Sequence, residues 1–414
     1  MKKILSALDF ILLSLMIISL PSLEAPKNIF LVGYLLTRSI TEIYQFKNNI
    51  SCWKGWDTLF LIFISTALLS TIFAGFSEHE EWKGFRVLLT AILTGWLLSR
   101  ANYTKNRYQI LFKLTVLSTI PPLAWGLWEY MVIHSRSTLE IHSVGHVNHS
   151  AIYLVMIFGA SVAWFLSEFD IKRKMATLKW QAILLGLLSI LFLISLIVGQ
   201  SRGALGIAVI LGLSLFLLMG RKKSLKIIGI MTISSILALS VFLNANIVQK
   251  QIAYQENHNV LSYRDRVWKV SIEASRFFPL LGIGMSNWHF ITLEQLKKSV
   301  EARGGTFNSD QYAFPGHSHN LYLTALVERG IVGLIVTLMF MIAWIRQLIK
   351  TYSWAKKTNE ASYIWGGALS AWVATYGIGF VNTTFHHEHA ILACLFLGIY
   401  LGYSRLFLKE KISM

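Results

Sequence analysis

Runs of mostly apolar residues recur along the whole chain, separated by short polar and basic links. Each run approaches the roughly 20 residues that carry a helix across the hydrocarbon core of a bilayer. They fall at residues 4–20, 28–45, 57–75, 84–99, 109–129, 150–168, 180–199, 203–219, 225–244, 318–345, 361–381 and 387–407. Irregular backbone in lipid would leave polar groups unpaired, so all of them are expected to be helices, about twelve in number. Composition points the same way. Of the 414 residues 54% are hydrophobic and 14% charged, whereas a soluble domain carries roughly 25% charged residues. The expected fold is an all-α integral membrane protein.

Three terminal and compositional features narrow this further. Met1-Lys2-Lys3 followed by Ile4 to Leu20 resembles a signal peptide in charge and length. No small-residue cleavage site follows and more spans come after it, so it reads as a retained first helix. Cys52 falls in a polar link and Cys394 in a late apolar run, which favours neither a disulfide nor a metal site. With 6 prolines and no low-complexity tract, no disordered region is expected.

Positive charge sets the orientation. Counted from a cytoplasmic amino terminus, the inside links hold Arg100, Lys105 and Arg107, then Lys172, Arg173, Lys174 and Lys179, then Arg221, Lys222, Lys223 and Lys226. Lys350, Lys356, Lys357, Lys409 and Lys411 are also inside, while the link from Ser77 to Trp82 is acidic and Gly199 to Ser201 nearly bare. Both termini are therefore expected in the cytoplasm. The net charge of +17 is mostly topological and gives no reason to expect nucleic-acid binding. The chain then divides into helices 1–9 over residues 1–244, one large loop on the non-cytoplasmic side over 245–317, and helices 10–12 with a tail over 318–414. Within the loop, Asp265 to Arg276 and Asn287 to Val300 look helical, separated by Pro279 and the turn-forming Gly282-Ile283-Gly284. So long a connection in a tight membrane protein is usually functional.

Charge near membrane depth needs a reason, and three features stand out. Arg202 lies in Gly199-Gln200-Ser201-Arg202-Gly203, where the seventh span turns into the eighth. It reads either as a snorkelling interfacial arginine or as a fixed cation awaiting an anion, and a guanidinium suits phosphate well. Arg264 and Trp268 stand four apart on one helix face, with Arg266 pointing elsewhere. That pattern also fits an amphipathic helix lying on anionic headgroups. His317-Ser318-His319-Asn320 leads into an apolar helix, and Gly330-Ile331-Val332-Gly333 follows. A histidine there could accept a proton or simply cap the helix, and the glycines would let the helix pack closely on a neighbour.

Together these stretches resemble the O-antigen ligase and polymerase superfamily of bacterial envelopes. The matching pieces are Ser201-Arg202-Gly203-Ala204, Arg264-x-x-x-Trp268 running on to Pro279-Leu280-Leu281-Gly282-Ile283-Gly284, and His319-Asn320-Leu321-Tyr322-Leu323 through Gly330 and Gly333. The string His-Asn, nine residues, Gly-x-x-Gly is similar to the ligase branch. The resemblance implies transfer of O-antigen from undecaprenyl diphosphate to a sugar of the lipid A-core by a periplasmic site of the inner membrane. It also implies a GT-C-like fold and an inverting glycosyltransferase of lipopolysaccharide biosynthesis that needs no metal or other cofactor. The family's two arginines fall on Arg202 and Arg264 and its histidine on His319, with Arg266 a weaker match. His317 and Asn320 are expected near substrate, though Asn320 could orient His319 or cap the helix instead.

The chemistry is consistent with that picture. A lipid-linked diphosphate departs with negative charge, which a pair of arginines can stabilise as a metal would. The pocket is expected to open sideways so that lipid tails stay in the bilayer. His386-His387-Glu388-His389 sits at the external start of the last span, but a zinc site needs about four converging ligands, so these residues read as a rim, as do His142, His146 and His149. An O-antigen polymerase extending a carrier-linked chain would share the arginines. A transporter would show internal repeats and mid-membrane charges; no repeat is visible, and exceptions such as Asp9 and Lys113 fall near cytoplasmic span ends.

Overall fold

The computed structural model describes residues 2–48, 52–142, 144–169, 180–220 and 263–410, with the single positions 227, 229 and 231. The expected span at 225–244, the basic links at 172–179 and 221–226, residues 245–262 of the large loop and Lys411 lie outside the described residues. Everything regular that is described is helical. The long helices are α1 (Lys2–Ser19), α2 (Glu24–Lys47), α3 (Gly55–Ile72), α4 (Glu80–Ser99), α5 (Lys105–Leu117) continued by α6 (Ile120–Trp128), α7 (Val147–Phe169), α8 (Trp180–Val198) and α9 (Arg202–Met219). After the loop helices α10 (Arg264–Ala274) and α11 (Leu293–Glu301) come α12 (Leu321–Ala355), α13 (Asn359–Ile378) and α14 (His387–Glu410).

Among the described residues, seven helical stretches are long and apolar enough to cross a membrane: α3, Lys105–Ile133, α7, α8, α9, α12 and residues 387–406 of α14. The apolar part of α1 is shorter, and α2, α4 and α13 fall below that measure. For α2 the cause is plain, since it buries Lys27, Arg38 and Gln45 against its neighbours. Around α7 and α14, which are almost wholly enclosed, the other helices are arranged as a sheath. Contacts inside the bundle are close. A Cβ on Gly95 of α4 would stand 2.8 Å from the Cys394 carbonyl of α14, and one on Gly398 2.8 Å from the Gly95 carbonyl. Small residues of this kind let two backbones touch, which is how helices gain packing where lipid gives no hydrophobic drive.

One end of the bundle ties up its charges internally. Asp57 caps α3 by accepting from the Lys54 backbone N–H at 2.7 Å and from Trp96 Nε1 at 2.8 Å. Arg100 reaches both Asp57 and Glu42 at 2.6 Å, and Arg38 donates to Glu42 at 2.7 Å. These ionisable groups were not anticipated as a set, because α2 and α3 contribute them one at a time.

At the other end the large loop forms its own small core. Val267, Val270, Ala274, Ile283, Trp288, Ile291 and Leu296 pack with Val327 of α12. The expected helix over Asn287–Val300 divides: a 3-10 turn at Asn287–Phe290 is followed by α11, whose start Thr292 fixes by a capping box with Gln295. The segment from Pro279 to Gly284 wedges between the end of α3 and a break in α12. Gly330 has φ 65° and ψ −169° within that helix. Across the break, Ile331 N–H donates to the Pro279 carbonyl at 2.9 Å, and Ile283 and Gly284 N–H donate to the Val327 and Glu328 carbonyls at 2.9 and 3.1 Å. Gly75 and Phe76, just after α3, donate to the Gly282 and Ile283 carbonyls. The glycine pair therefore works differently from the expected helix-to-helix seam. Gly330 admits the loop backbone, and a Cβ there would overlap the Leu280 carbonyl; Gly333 leaves room for the Arg329 side chain folded back over it.

Replacing Gly330 with Ala is expected to cost roughly 3 kcal/mol or more, combining a left-handed backbone penalty with overpacking. Gly304, at φ 76° with open space around it, should lose only about 1–2 kcal/mol on the same change. Thermal unfolding of both variants in detergent checks this, and equal losses would mean that the contact with Leu280 is not what demands a glycine.

Candidate functional site

The chain reverses between α8 and α9 in three residues, with Gln200 at φ 55°. That tight reversal makes Arg202 the first residue of α9. Arg264 likewise opens α10, after Tyr263 at φ 61°. Both arginines line one polar cavity of about 160 Å³, together with Asn148, Gln200, Ser201 and Asn382. Among the described residues no carboxylate lines it. Burial and then the Arg202 charge hold the Arg264 guanidinium below its ordinary value, as expected where two cations share a confined space.

His319 stands beside this cavity in the strap Gly316–Asn320 that precedes α12. Its φ is 48°, and the strap is pinned by Ser318 Oγ, which donates to the Asn320 carbonyl at 2.8 Å. The His319 ring lies 4.0 Å from that of His317, centroid to centroid. Burial, then His317, then the Arg264 charge lower the imidazole to about 4, outweighing a hydrogen bond with the Asn382 side chain that favours protonation. Its Nδ1 has no hydrogen-bond partner. At neutral pH this ring is a neutral acceptor next to two guanidinium groups.

Asn320 takes the capping role of the two left open by the sequence. Its Oδ1 accepts from the Tyr322 and Leu323 N–H groups at 2.9 and 3.0 Å, and its Nδ2 donates to the Phe380 carbonyl at 3.0 Å. The amide that reaches His319 is Asn382, from the short link before α14. Arg266, expected near substrate, is exposed and lies over the Tyr263 ring at 4.9 Å, outside the arginine cavity. On a helix that puts Arg264 inward, a residue two positions on must turn away. His317 lines a second, larger cavity on the other side of the strap.

The rim histidines gather as a group. The His149 ring lies 5.0, 5.2 and 5.3 Å from those of His386, His387 and His389, and 5.8 Å from that of His146. His142 is exposed in the turn before α7. Among the described residues no group of three or more His, Cys, Asp or Glu side chains is disposed to hold a metal ion. Glu388 instead pairs with Lys27 of α2.

Sequence reasoning missed Asn382, Asn148 and Arg329. Asn382 is a lone amide in a short link and Asn148 the second residue of α7, neither within a motif; the only available signal was their position on the same side as Arg202. Arg329 is buried in α12, where Nη2 donates to Thr337 at 2.9 Å and the guanidinium lies 5.1 Å from the Phe63 ring centroid.

A family model described as O-antigen ligase matches residues 187–338. The matched segment includes Arg202, Arg264, His319, Gly330 and Gly333 and covers less than half of the chain. Asn382 and the histidines of α14 lie beyond it. With several apolar helices of spanning length, the protein is a multi-pass membrane protein that is similar over that segment to the O-antigen ligase family, whose members are glycosyl-transfer enzymes. No curated protein matches the chain.

Two measurements test this geometry directly. In ring-labelled protein, the His319 resonance should titrate near pH 4 and move toward the ordinary 6.5 in Arg264→Gln, because a charge that opposes protonation is gone. A midpoint of 6.5 in both proteins would contradict the burial and charge described above. Asn320→Ala should cost about 1 kcal/mol of stability, and Asn320→Asp, which keeps the cap but turns a carboxylate oxygen toward the Phe380 carbonyl, should also destabilise the protein.

Proposed function

We propose that the protein transfers O-antigen polysaccharide from undecaprenyl diphosphate to a sugar of the lipid A-core, acting as a lipopolysaccharide O-antigen ligase. The observation that carries this reading is the convergence of Arg202 and Arg264 on one polar cavity, with the neutral His319 at its edge. The arginines hold the two phosphates of the donor by charge-assisted hydrogen bonds. His319 takes the proton of the acceptor hydroxyl as that oxygen bonds to the anomeric carbon. The bond from that carbon to the phosphate oxygen breaks, and its electron pair leaves with the diphosphate, whose charge the guanidinium groups stabilise. Attack from the face opposite the leaving group inverts the anomeric centre in one step that needs no metal.

The topology that goes with this reading has twelve spans in a GT-C-like arrangement. Both termini are cytoplasmic, the protein lies in the bacterial inner membrane, and the large loop at 245–317 faces the periplasm. It is supported by the gathering of Arg202, the loop helices, the strap and Asn382 at one end of the bundle, while Arg38, Arg100 and Arg405 cluster at the other. The carrier and lipid A tails stay among the membrane lipids while their head groups meet at the cavity.

His319→Ala, in a strain without its own copy, tests the reading once immunoblotting shows that the variant accumulates. Long O-antigen should disappear from lipid A-core by a factor of roughly 100 or more, while polymer accumulates on the carrier lipid. Core bearing a single repeat unit would identify a polymerase that extends carrier-linked chains. Unchanged ladders would remove His319 from the reaction.

A further inference from the structure

Group transfer between two lipid-borne sugars needs two seats that meet at one reacting centre, because positioning both partners supplies much of the rate. The arginine cavity, at about 160 Å³, is one seat. The second cavity, of about 370 Å³, is walled by α4, the first turns of α12, the loop at Met285–His289 and the link before α14. His319 stands between them. Asn382, hydrogen-bonded to its ring, lines the first cavity, while His317, whose ring centroid lies 4.0 Å away at an interplanar angle of 54°, and Thr383 line the second.

The two linings differ in kind. The arginine cavity brings two guanidinium groups together. The second mixes basic and acidic side chains, Lys83 and Arg329 with Glu80 and Glu328, with five histidines and apolar residues. Lys83 and Glu80 pair with each other at the mouth, 3.2 Å apart. Further in, the wall is mixed. Val87, Leu88, Met285 and Phe385 give apolar surface, whereas Thr324, Thr383 and the Glu328 carboxylate can bond to hydroxyls. Such a lining suits a ring with apolar C–H faces and a rim of hydroxyl groups.

We infer that this second cavity seats the acceptor's reacting sugar, an uncharged, hydroxyl-rich ring, and presents its hydroxyl to His319 from the side opposite the arginines. The inference rests on the glycosyl-transfer reading above. It assigns Glu328 to the binding of acceptor hydroxyls, and it makes the residues of α4 at its loop end determinants of which acceptor fits.

The test uses the full-length protein in nanodiscs with a carrier-diphosphate oligosaccharide as donor and O-antigen-free lipid A-core as acceptor. Val87→Trp fills the cavity, and Glu328→Gln removes the charge while keeping the shape. The acceptor KM should rise tenfold or more in the first variant and several-fold in the second. The donor dissociation constant, measured separately by binding of radiolabelled donor, should stay within twofold for both. A weakened donor with an unchanged acceptor KM would overturn the assignment. Should Val87→Trp fail to bind donor at all, Glu328→Gln alone decides by the same two numbers. Replacing lipid A-core with a second carrier-linked chain separates the two readings. Extension of that acceptor only would sink the ligase function, and the cavity would then be judged by the KM for that chain.

Discussion

The break in α12 at Gly330 is the joint on which the rest of the loop end hangs. A transmembrane helix that interrupts its own ladder leaves backbone groups unpaired, and in an apolar setting each costs several kcal/mol. Here the Pro279–Gly284 segment supplies partners on both sides of the break. Ser70 at the end of α3 adds a third, its Oγ donating to the Leu281 carbonyl at 2.5 Å. The loop is thus stitched into the bundle by main-chain bonds, which do not depend on side-chain identity. With the stitch in place, the small core around Val267 and Trp288 has a floor in Val327, α10 has a fixed direction, and Arg264 comes to the cavity that Arg202 borders.

How much of this was legible follows from the kind of signal each element sends. Apolar runs reported nearly every helix to within a few residues, because burial in lipid is written into every position. They understated α2, whose Lys27 pairs with Glu388 and whose Arg38 pairs with Glu42 and Asp9, residues that one-dimensional hydropathy has no means of pairing. Arg202, Arg264 and His319 were readable from local spacing. Asn382 was not, since an amide gains meaning only from the ring it meets about sixty residues away in sequence. The glycine pair was noticed, but its use was not. A positive φ and a loop carbonyl beneath it are tertiary facts, and the same two letters would equally serve a helix seam. Arg266 stands outside the arginine cavity for a simpler reason: residues two apart face different sides of a helix.

Charge is handled oppositely at the two ends. Around Asp57 the carboxylates and guanidinium groups satisfy one another, so that end is held closed by ion pairs whose rupture would strand a buried charge. At the loop end Arg202 and Arg264 share a cavity whose described lining includes the amides Asn148, Gln200 and Asn382. The neighbouring imidazoles add little further positive charge, since burial and nearby cationic forms push both toward neutrality: His146 and His387 act on His317, and His317 and Arg264 act on His319.

The contact of Gly95 with Gly398 gives α4 and α14 a shared hinge pin deep in the bundle. Toward the loop end the same two helices both wall the second cavity, with Lys83 and Val87 on one and His387 on the other. The pair therefore works as a caliper whose jaws are the walls of the second cavity and whose pivot is set by the size of two residues far from it. One methyl group at the pivot would open or skew the jaws without touching a single wall residue. The bore of the chamber is thus an inherited property of the membrane interior, and a lineage could regrade the girth of what it admits by changing residues that no ligand ever meets.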